Sequence, residues 1–251
     1  MRLQRGAEVS ILPGVPRVSV LVPCLNEREN LAELWARVAP VLEVVDGELV
    51  LVDDGSTDGS HAAMQRLAAQ HARIVVLQHE RRRGIPQAWS TALTRASGEW
   101  VASLDGDLQY RPEELVALLE HARRRGIDFV QGARRRVESE GPLRQVLSRA
   151  LNTALNLGFG TRVNDHKSAF FVCRHVHLVK LLEHRHHFRH WQCFIGVSAR
   201  ALGLSCDEVP VTFQRRRRGA SAFGAIPWRS TLEVMADFVP ALRLYGRRSS
   251  R

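Results

Sequence analysis

Asp105 and Asp107 stand two residues apart with only Gly106 between them, near the end of the run Glu99-Trp-Val-Ala-Ser-Leu-Asp-Gly-Asp-Leu-Gln-Tyr-Arg-Pro112. A strand sends side chains at i and i+2 to one face. The intervening glycine allows a sharp turn and a close approach by a ligand. Two carboxylates so placed repel each other and need a cation or a strong donor. A divalent ion meets that need and can hold a diphosphate between itself and the protein. A solvated acidic turn has the same short pattern, so the elements around the pair must decide.

Those elements alternate. Val18 to Val22 reads as a buried strand ended by Pro23. Asn26 is placed to cap the following helix, with Glu29 completing a capping box, and Pro40 is placed to kink or end that helix. Leu49 to Val52 is a second strand running into Asp53, Asp54 and Gly55, followed by a helix over Ser60 to His71. Ile74 to Leu77, a helix over Pro86 to Ala96, the strand Glu99 to Leu104, a helix opened by Pro112 and stopped by Gly126, and the strand Ile127 to Val130 complete the pattern. Such alternation with short joins predicts an α/β fold, a mostly parallel sheet with helices on its faces. Ligands in such sheets bind at the carboxyl ends of strands. Pro23 to Glu27, Asp53 to Ser56 and Asp105 to Asp107 all fall at such ends, which weakens the solvated-turn reading.

The second half is less regular. It predicts a helix over Leu143 to Leu157, a strand over Ala169 to Cys173, a short helix over Val176 to Glu183, a strand over Glu208 to Phe213 and a flexible basic loop over Arg215 to Gly224. His184 to His190 holds four histidines and two arginines, which read as basic surface rather than a spaced metal site. An amphipathic helix over 226–245 can dock on the core, pair with another chain or lie on an anionic membrane.

The 251 residues are 45% apolar and 25% charged, as in a folded soluble protein. The four cysteines form no CxxC pair and read as reduced thiols of a cytoplasmic protein. No signal peptide and no membrane-spanning run is evident. The net charge of +10 lies in arginine clusters at 81–83, 123–125, 134–136 and 215–218 and at the end of the chain. It fits an anionic lipid surface, nucleic acid or a phosphorylated substrate. No helix-turn-helix spacing or RNA-binding aromatic pair accompanies it, so nucleic acid is the least favoured partner.

Three blocks carry a resemblance: Val18 to Asn30, Leu51 to Ser60 and Ser97 to Pro112. Together they resemble the family 2 inverting glycosyltransferases of GT-A fold. The Asp-Leu-Gln continuation at 107–109 is most similar to the polyprenyl-phosphate sugar transferases, including dolichyl-phosphate mannose synthases. Asn164 to Phe171, His187 to Arg189, and Asp207 to Phe213 with Arg216, Gly219 and Ser221 agree, so the resemblance spans about residues 17 to 235. It implies a Rossmann-like GT-A domain over 17–235, with a nucleotide-sugar half (1–132) and an acceptor half (133–235). It implies that Pro23, Asn26 and Glu27 border the nucleotide, that Asp53 binds its base or ribose, and that Asp54 and Gly55 shape the pocket. Asp105, Asp107 and Gln109 would hold Mg2+ or Mn2+ and the donor diphosphate. Asp107, Asp165 and Arg216 would be the catalytic set, with Asp165 near the transferred sugar or acceptor and Arg216 gripping phosphate.

The implied reaction is inverting transfer from a GDP- or UDP-sugar to a polyprenyl phosphate, by a protein that is cytoplasmic or peripheral on the inner face of the membrane. A hydroxyl acceptor would need a base, for which Asp165 is the candidate. Two departures stand out. Ala222 occupies a place where the family often has lysine, and loop 79–86 is unusually rich in arginine. They leave open a catalytically idle scaffold of the same fold.

Overall fold

The computed structural model describes residues 17–135, 142–216 and 227–246, with backbone alone for 142–145, 147 and 227–232. Residues 1–16, Arg136, Gly219, Ser221, Ala222 and the final arginines lie outside the described residues.

Seven strands form one sheet in the order β3-β2-β1-β4-β6-β5-β7. They are β1 (Val18–Cys24), β2 (Glu48–Asp53), β3 (Ile74–Gln78), β4 (Trp100–Ser103), β5 (Phe129–Arg134), β6 (Phe171–Arg174) and β7 (Cys206–Val211). All neighbouring pairs are parallel except those of β6, which runs antiparallel to both β4 and β5. The helices are α1 (Leu31–Val44), α2 (Ser60–Gln70), α3 (Ile85–Leu93), α4 (Glu114–Arg125), α5 (Pro142–Phe159), α6 (His175–Leu181), α7 (Ile195–Ala201) and α8 (Pro227–Tyr245). Two 3-10 turns, Leu182–His187 and Trp191–Phe194, lie between α6 and α7.

Strand side chains alternate between two cores. Val20, Val22, Leu49, Leu51, Ala102 and Val130 face the layer containing α1, α2 and α4, where Leu34, Val38, Met64, Leu115 and Leu118 meet them. Leu21, Val50, Val52, Val101, Phe129 and Phe171 face Trp89, Leu178, Leu181 and Ile195 on the other side. Each fully buried Val or Leu contributes about 1.5–3 kcal/mol. A third cluster joins Leu151, Leu155 and Phe159 of α5 to Val234, Ala241 and Tyr245 of α8, so α8 docks on the body of the protein.

The structure corrects several local expectations. Pro23 does not end the first strand, since it pairs with Val52 inside β1. Beyond Leu21, β1 pairs only with β2, so a residue without an N–H is tolerated there. Asn26 does not cap α1. It has φ +58, and the helix starts at Leu31 after Asn30. Pro40 lies within α1, which continues to Val44. The segment Trp191 to Ala201, unassigned from sequence, forms a 3-10 turn and α7.

The chain leaves β1 on one side for β2 and β3, then returns through α3 to place β4 on the other side of β1. This reversal opens a crevice at the carboxyl ends of β1 and β4. The arginine-rich loop that precedes α3 is fastened beside the crevice. Asp54 Oδ1 accepts from Arg83 N–H at 2.8 Å and pairs with His79 Nδ1 at 2.7 Å, and Oδ2 accepts from Gly84 N–H at 2.9 Å. His79 Nε2 meets Thr91 Oγ1 of α3 at 2.9 Å, and His79 N–H donates to the Asp53 carbonyl at 2.8 Å. Gly55, at φ +79, lies against the backbone of Arg81 and Arg82, where an added Cβ would sit 2.7 Å from Arg82 N. Gly55→Ala is expected to cost about 2–4 kcal/mol from strain and overlap. The urea midpoint measures this, and a change below about 0.5 kcal/mol would contradict the packing described.

Candidate active site

Three loops meet at the carboxyl ends of β1, β2 and β4. The first is tied to the second through Asn26, whose N–H donates to Ser56 Oγ at 2.9 Å and whose Oδ1 accepts from Thr57 N–H at 2.9 Å. Glu27 N–H donates to Ser60 Oγ at 2.9 Å. The Asn26 and Glu27 backbone is thus set by serines of the Asp53-to-Ser60 segment. Asp53 is fully buried, and its Oδ1 accepts from Ser56 N–H at 3.0 Å, closing its own turn. Asp54 likewise spends both oxygens on the arginine-rich loop. Asn26, Asp53 and Asp54, which the resemblance places at the nucleotide, therefore build the loops themselves.

The third loop carries the acid pair. Cys24 Sγ would lie 3.0 Å from a Cβ at position 106, so a side chain between the two aspartates would press on that thiol. Asp107 is buried, and its Oδ1 accepts from Gln109 N–H at 3.0 Å across Leu108, which has φ +61. Burial and the neighbouring Asp107 charge push the Asp105 carboxyl up to about 7, against the opposing pull of Arg134. Burial also raises Glu27, with Arg216 and Asn30 pulling the other way.

Arg216 reaches this cluster from the segment after β7. Its Nη2 donates to Asp107 Oδ2 at 2.8 Å and to Glu27 Oε1 at 3.0 Å. The segment is zipped to the acidic loop by a Tyr110–Phe213 bridge, by Gln214 N–H donating to the Gln109 carbonyl at 2.7 Å, and by Gln109 Nε2 donating to the Gln214 carbonyl at 3.1 Å. Gln109, expected among the metal ligands, has its amide nitrogen committed to this zipper.

Asp165 is held by Arg134 at the end of β5. Arg134 Nε and Nη2 donate to its two oxygens at 2.5 and 2.8 Å. Burial would raise Asp165, but the Arg134 guanidinium holds it below the usual carboxylate range. The same guanidinium lies 4.8 Å from the Phe213 ring centre. Glu208 of β7 fixes the preceding turn by accepting from Asn164 N–H and Nδ2 at 2.8 and 2.9 Å and from Asp165 N–H at 3.2 Å.

The structure thus brings Glu27, Asp105, Asp107 and Arg216 to one place. Glu208, His79 and Ser60 escaped the sequence reading as functional positions, while Ser56 and Arg134 entered it only as members of the 53–56 and 134–136 clusters. Arg134 carried one usable signal, its place at the carboxyl end of a strand. Among the described residues, no three His, Cys, Asp or Glu side chains gather as a metal-ligand set. A cleft of about 660 Å3 lies beside this centre, lined by Asn26, Arg28, Glu29, Asn30, Thr57 and Asp58 and by neither aspartate of the acid pair.

The chain is similar to proteins that are already known. Residues 19–183 match the model of glycosyl transferase family 2. The undecaprenyl-phosphate 4-deoxy-4-formamido-L-arabinose transferase of Sodalis glossinidius is 30% identical over 91% of this chain and 68% of its own length. Its Erwinia tasmaniensis counterpart is 31% identical with the same coverage. Among solved structures, a mannosyltransferase of Pyrobaculum calidifontis, in complex with GDP-Man and Mn2+, aligns with TM-score 0.64 at 21% identity over 96% of this chain and 68% of that one. Glucosyl-3-phosphoglycerate synthase of Mycobacterium tuberculosis, in complex with Mn2+, UDP and glucosyl-3-phosphoglycerate, aligns with TM-score 0.66 at 21% identity over 95% and 86%. The two solved structures share the GT-A-type fold, and the family match settles the membership: this chain belongs to glycosyl transferase family 2 and is a glycosyltransferase.

Proposed function

We propose that the chain transfers a sugar from a nucleoside-diphosphate sugar, with inversion, to a polyprenyl phosphate, through one catalytic domain over residues 17–235. The donor half of this reading rests on family membership and on the acids at the crevice. The acceptor half rests on one observation, the capture of Asp165 by Arg134. A hydroxyl nucleophile needs a base near the anomeric carbon. Asp165, the base candidate the sequence offered, is doubly hydrogen-bonded to a guanidinium and its basicity is depressed. A phosphate monoester is already anionic near neutral pH and needs positioning rather than deprotonation. The two curated relatives, named for undecaprenyl phosphate, support the same acceptor class. No helix among the described residues is long and apolar enough to cross a membrane. Contact with a lipid acceptor is proposed to be peripheral, at the inner face of the membrane.

The acid pair suits a divalent cation. Asp105 carries a carboxyl that burial and Asp107 make costly to ionise, and added positive charge would relieve that cost. Asp105 and Asp107 would hold Mg2+ or Mn2+, with phosphate oxygens of the donor completing the shell. Once bound, such an ion would stabilise charge developing on the leaving diphosphate. Arg216, beside Asp107, would take a phosphate oxygen, and Arg134, fixed by Asp165, would orient the acceptor phosphate. Pro23, Asn26, Glu27 and Asp53 to Gly55 would frame the nucleotide.

Four outcomes follow for measurement. In a thermal-shift panel of nucleotide sugars, one GDP- or UDP-sugar with Mn2+ or Mg2+ is expected to raise the midpoint by mass action, and no shift with any donor would contradict the donor assignment. Asp107→Ala is expected to lower transfer by about 10²–10³-fold while the fold remains intact by circular dichroism; unchanged turnover at saturating donor and metal sinks its role. Asp165→Asn is expected to raise the KM for a short polyprenyl phosphate with a smaller change in kcat. A kcat loss of about 10²–10⁴-fold at constant KM would instead make Asp165 the base. Because Asp105 is raised in the folded state, its contribution stabilises the metal-free chain at acid pH and is lost as pH rises towards about 7. Melts in chelator should therefore show Asp105→Asn more stable than the parent at pH 8, with the gap narrowing at pH 5. A less stable variant at pH 8 would refute that environment.

A further inference from the structure

Glu27 lies beside the acid pair as well as beside the nucleotide loops. Its Oε1 and Asp107 Oδ2 accept from the same nitrogen, Nη2 of Arg216, at 3.0 and 2.8 Å. Both carboxylates are buried, at 6% and 8% exposure. Buried charges of one sign are tolerated only beside a counter-charge. A guanidinium keeps its charge at any working pH. The arginine is delivered to this spot: the Tyr110–Phe213 bridge and the two Gln109–Gln214 hydrogen bonds hold the segment carrying it against the acidic loop. Asn30 Nδ2 donates to the other Glu27 oxygen at 2.6 Å and orients the carboxylate towards Arg216.

We infer that Glu27 belongs to the cation site together with Asp107, and that Arg216 is its tethered occupant, exchanging with a divalent ion for the same two carboxylates. A guanidinium and a divalent ion at contact distance on the same oxygens repel each other, which favours one occupant over two. When the ion binds Asp107, Arg216 leaves it but stays within reach through its anchored segment, next to where the donor's phosphates would lie. The exchange couples metal entry to the release of an arginine for the diphosphate. Metal alone must therefore displace an internal ion pair, whereas metal with donor offers the displaced arginine a new anion. The inference rests on the proposed donor site and gives Glu27 a role distinct from bordering the nucleotide.

The test is Mn2+ titration of the nucleotide-free full chain, followed by the paramagnetic resonance of free Mn2+. Arg216→Gln, which removes the competing charge, is expected to bind Mn2+ about tenfold more tightly than the parent, equivalent to about 1.4 kcal/mol. Arg216→Lys, which restores a cation, should return the affinity towards the parent value. Adding Glu27→Gln to Arg216→Gln should weaken Mn2+ several-fold, which a purely nucleotide-bordering Glu27 would not do. Circular dichroism at the titration temperature establishes that each variant is folded. Equal or weaker Mn2+ binding by folded Arg216→Gln, or no Mn2+ binding by any form, overturns the inference. If Mn2+ binding tightens while no form binds a nucleotide sugar, the exchange stands and the donor reading falls. If a nucleotide sugar binds with Mn2+ affinity unchanged across the variants, the donor reading stands and the exchange falls.

Discussion

Negative charge gathered at the carboxyl edge of a sheet, and the positive charge that must answer it, is the constraint around which this protein is arranged. Glu27, Asp105 and Asp107 come from two loops and converge where β1 and β4 diverge. Solvation of three such groups is curtailed by burial, so the fold must bring cations to them. It does so with two arginines from later in the chain: Arg216 onto Glu27 and Asp107, and Arg134 of β5 close enough to lower the cost of ionising Asp105. The rest of the molecule reads as support for that meeting. The parallel strands set the edge, Gly106 lets the acidic loop pass Cys24, and the zipper between 107–110 and 213–216 brings the arginine in.

The same constraint separates two halves of the site by chemistry. On the side proposed for the donor, serines and backbone N–H groups tie Asn26, Asp53 and Asp54 into a frame whose oxygens are largely committed to the protein itself. Flexibility there would blur the position of a diphosphate, and effective molarity depends on that position. On the side proposed for the acceptor, Arg134 is clamped by Asp165 and lies over Phe213, which presents a guanidinium of fixed orientation. A planar fork held in this way suits a phosphate better than it suits a neutral alcohol.

Much of the framework was legible in the sequence because local physics wrote it there. The first five strands and four helices are marked by apolar runs, by helical spacing and by Gly or Pro at their ends, and the three polar clusters follow from where those strands stop. What stayed hidden depends on partners far along the chain. Asn26 looks like a helix cap until Thr57 and Ser56 are brought beside it, and its positive φ has no local signature in a non-glycine residue. Residues 191–201 resist assignment because Ile195 to Ala199 are all buried, which erases the two-faced pattern a surface helix shows. The antiparallel course of β6 is a property of connection, not of composition. The pairing of Asp165 with Arg134, 31 residues earlier, has no local signature in the sequence and bears directly on the acid's chemistry.

A metal ion and the donor's phosphates are proposed to meet at Asp105 and Asp107. Anomalous diffraction from crystals grown with a nucleoside diphosphate and Mn2+ tests it most directly. The account predicts one Mn2+ peak in bonding contact with Asp107 and with the diphosphate, and Arg216 turned from Asp107 onto a phosphate oxygen. A peak elsewhere, or both aspartates facing bulk water with the nucleotide bound away from them, would contradict it.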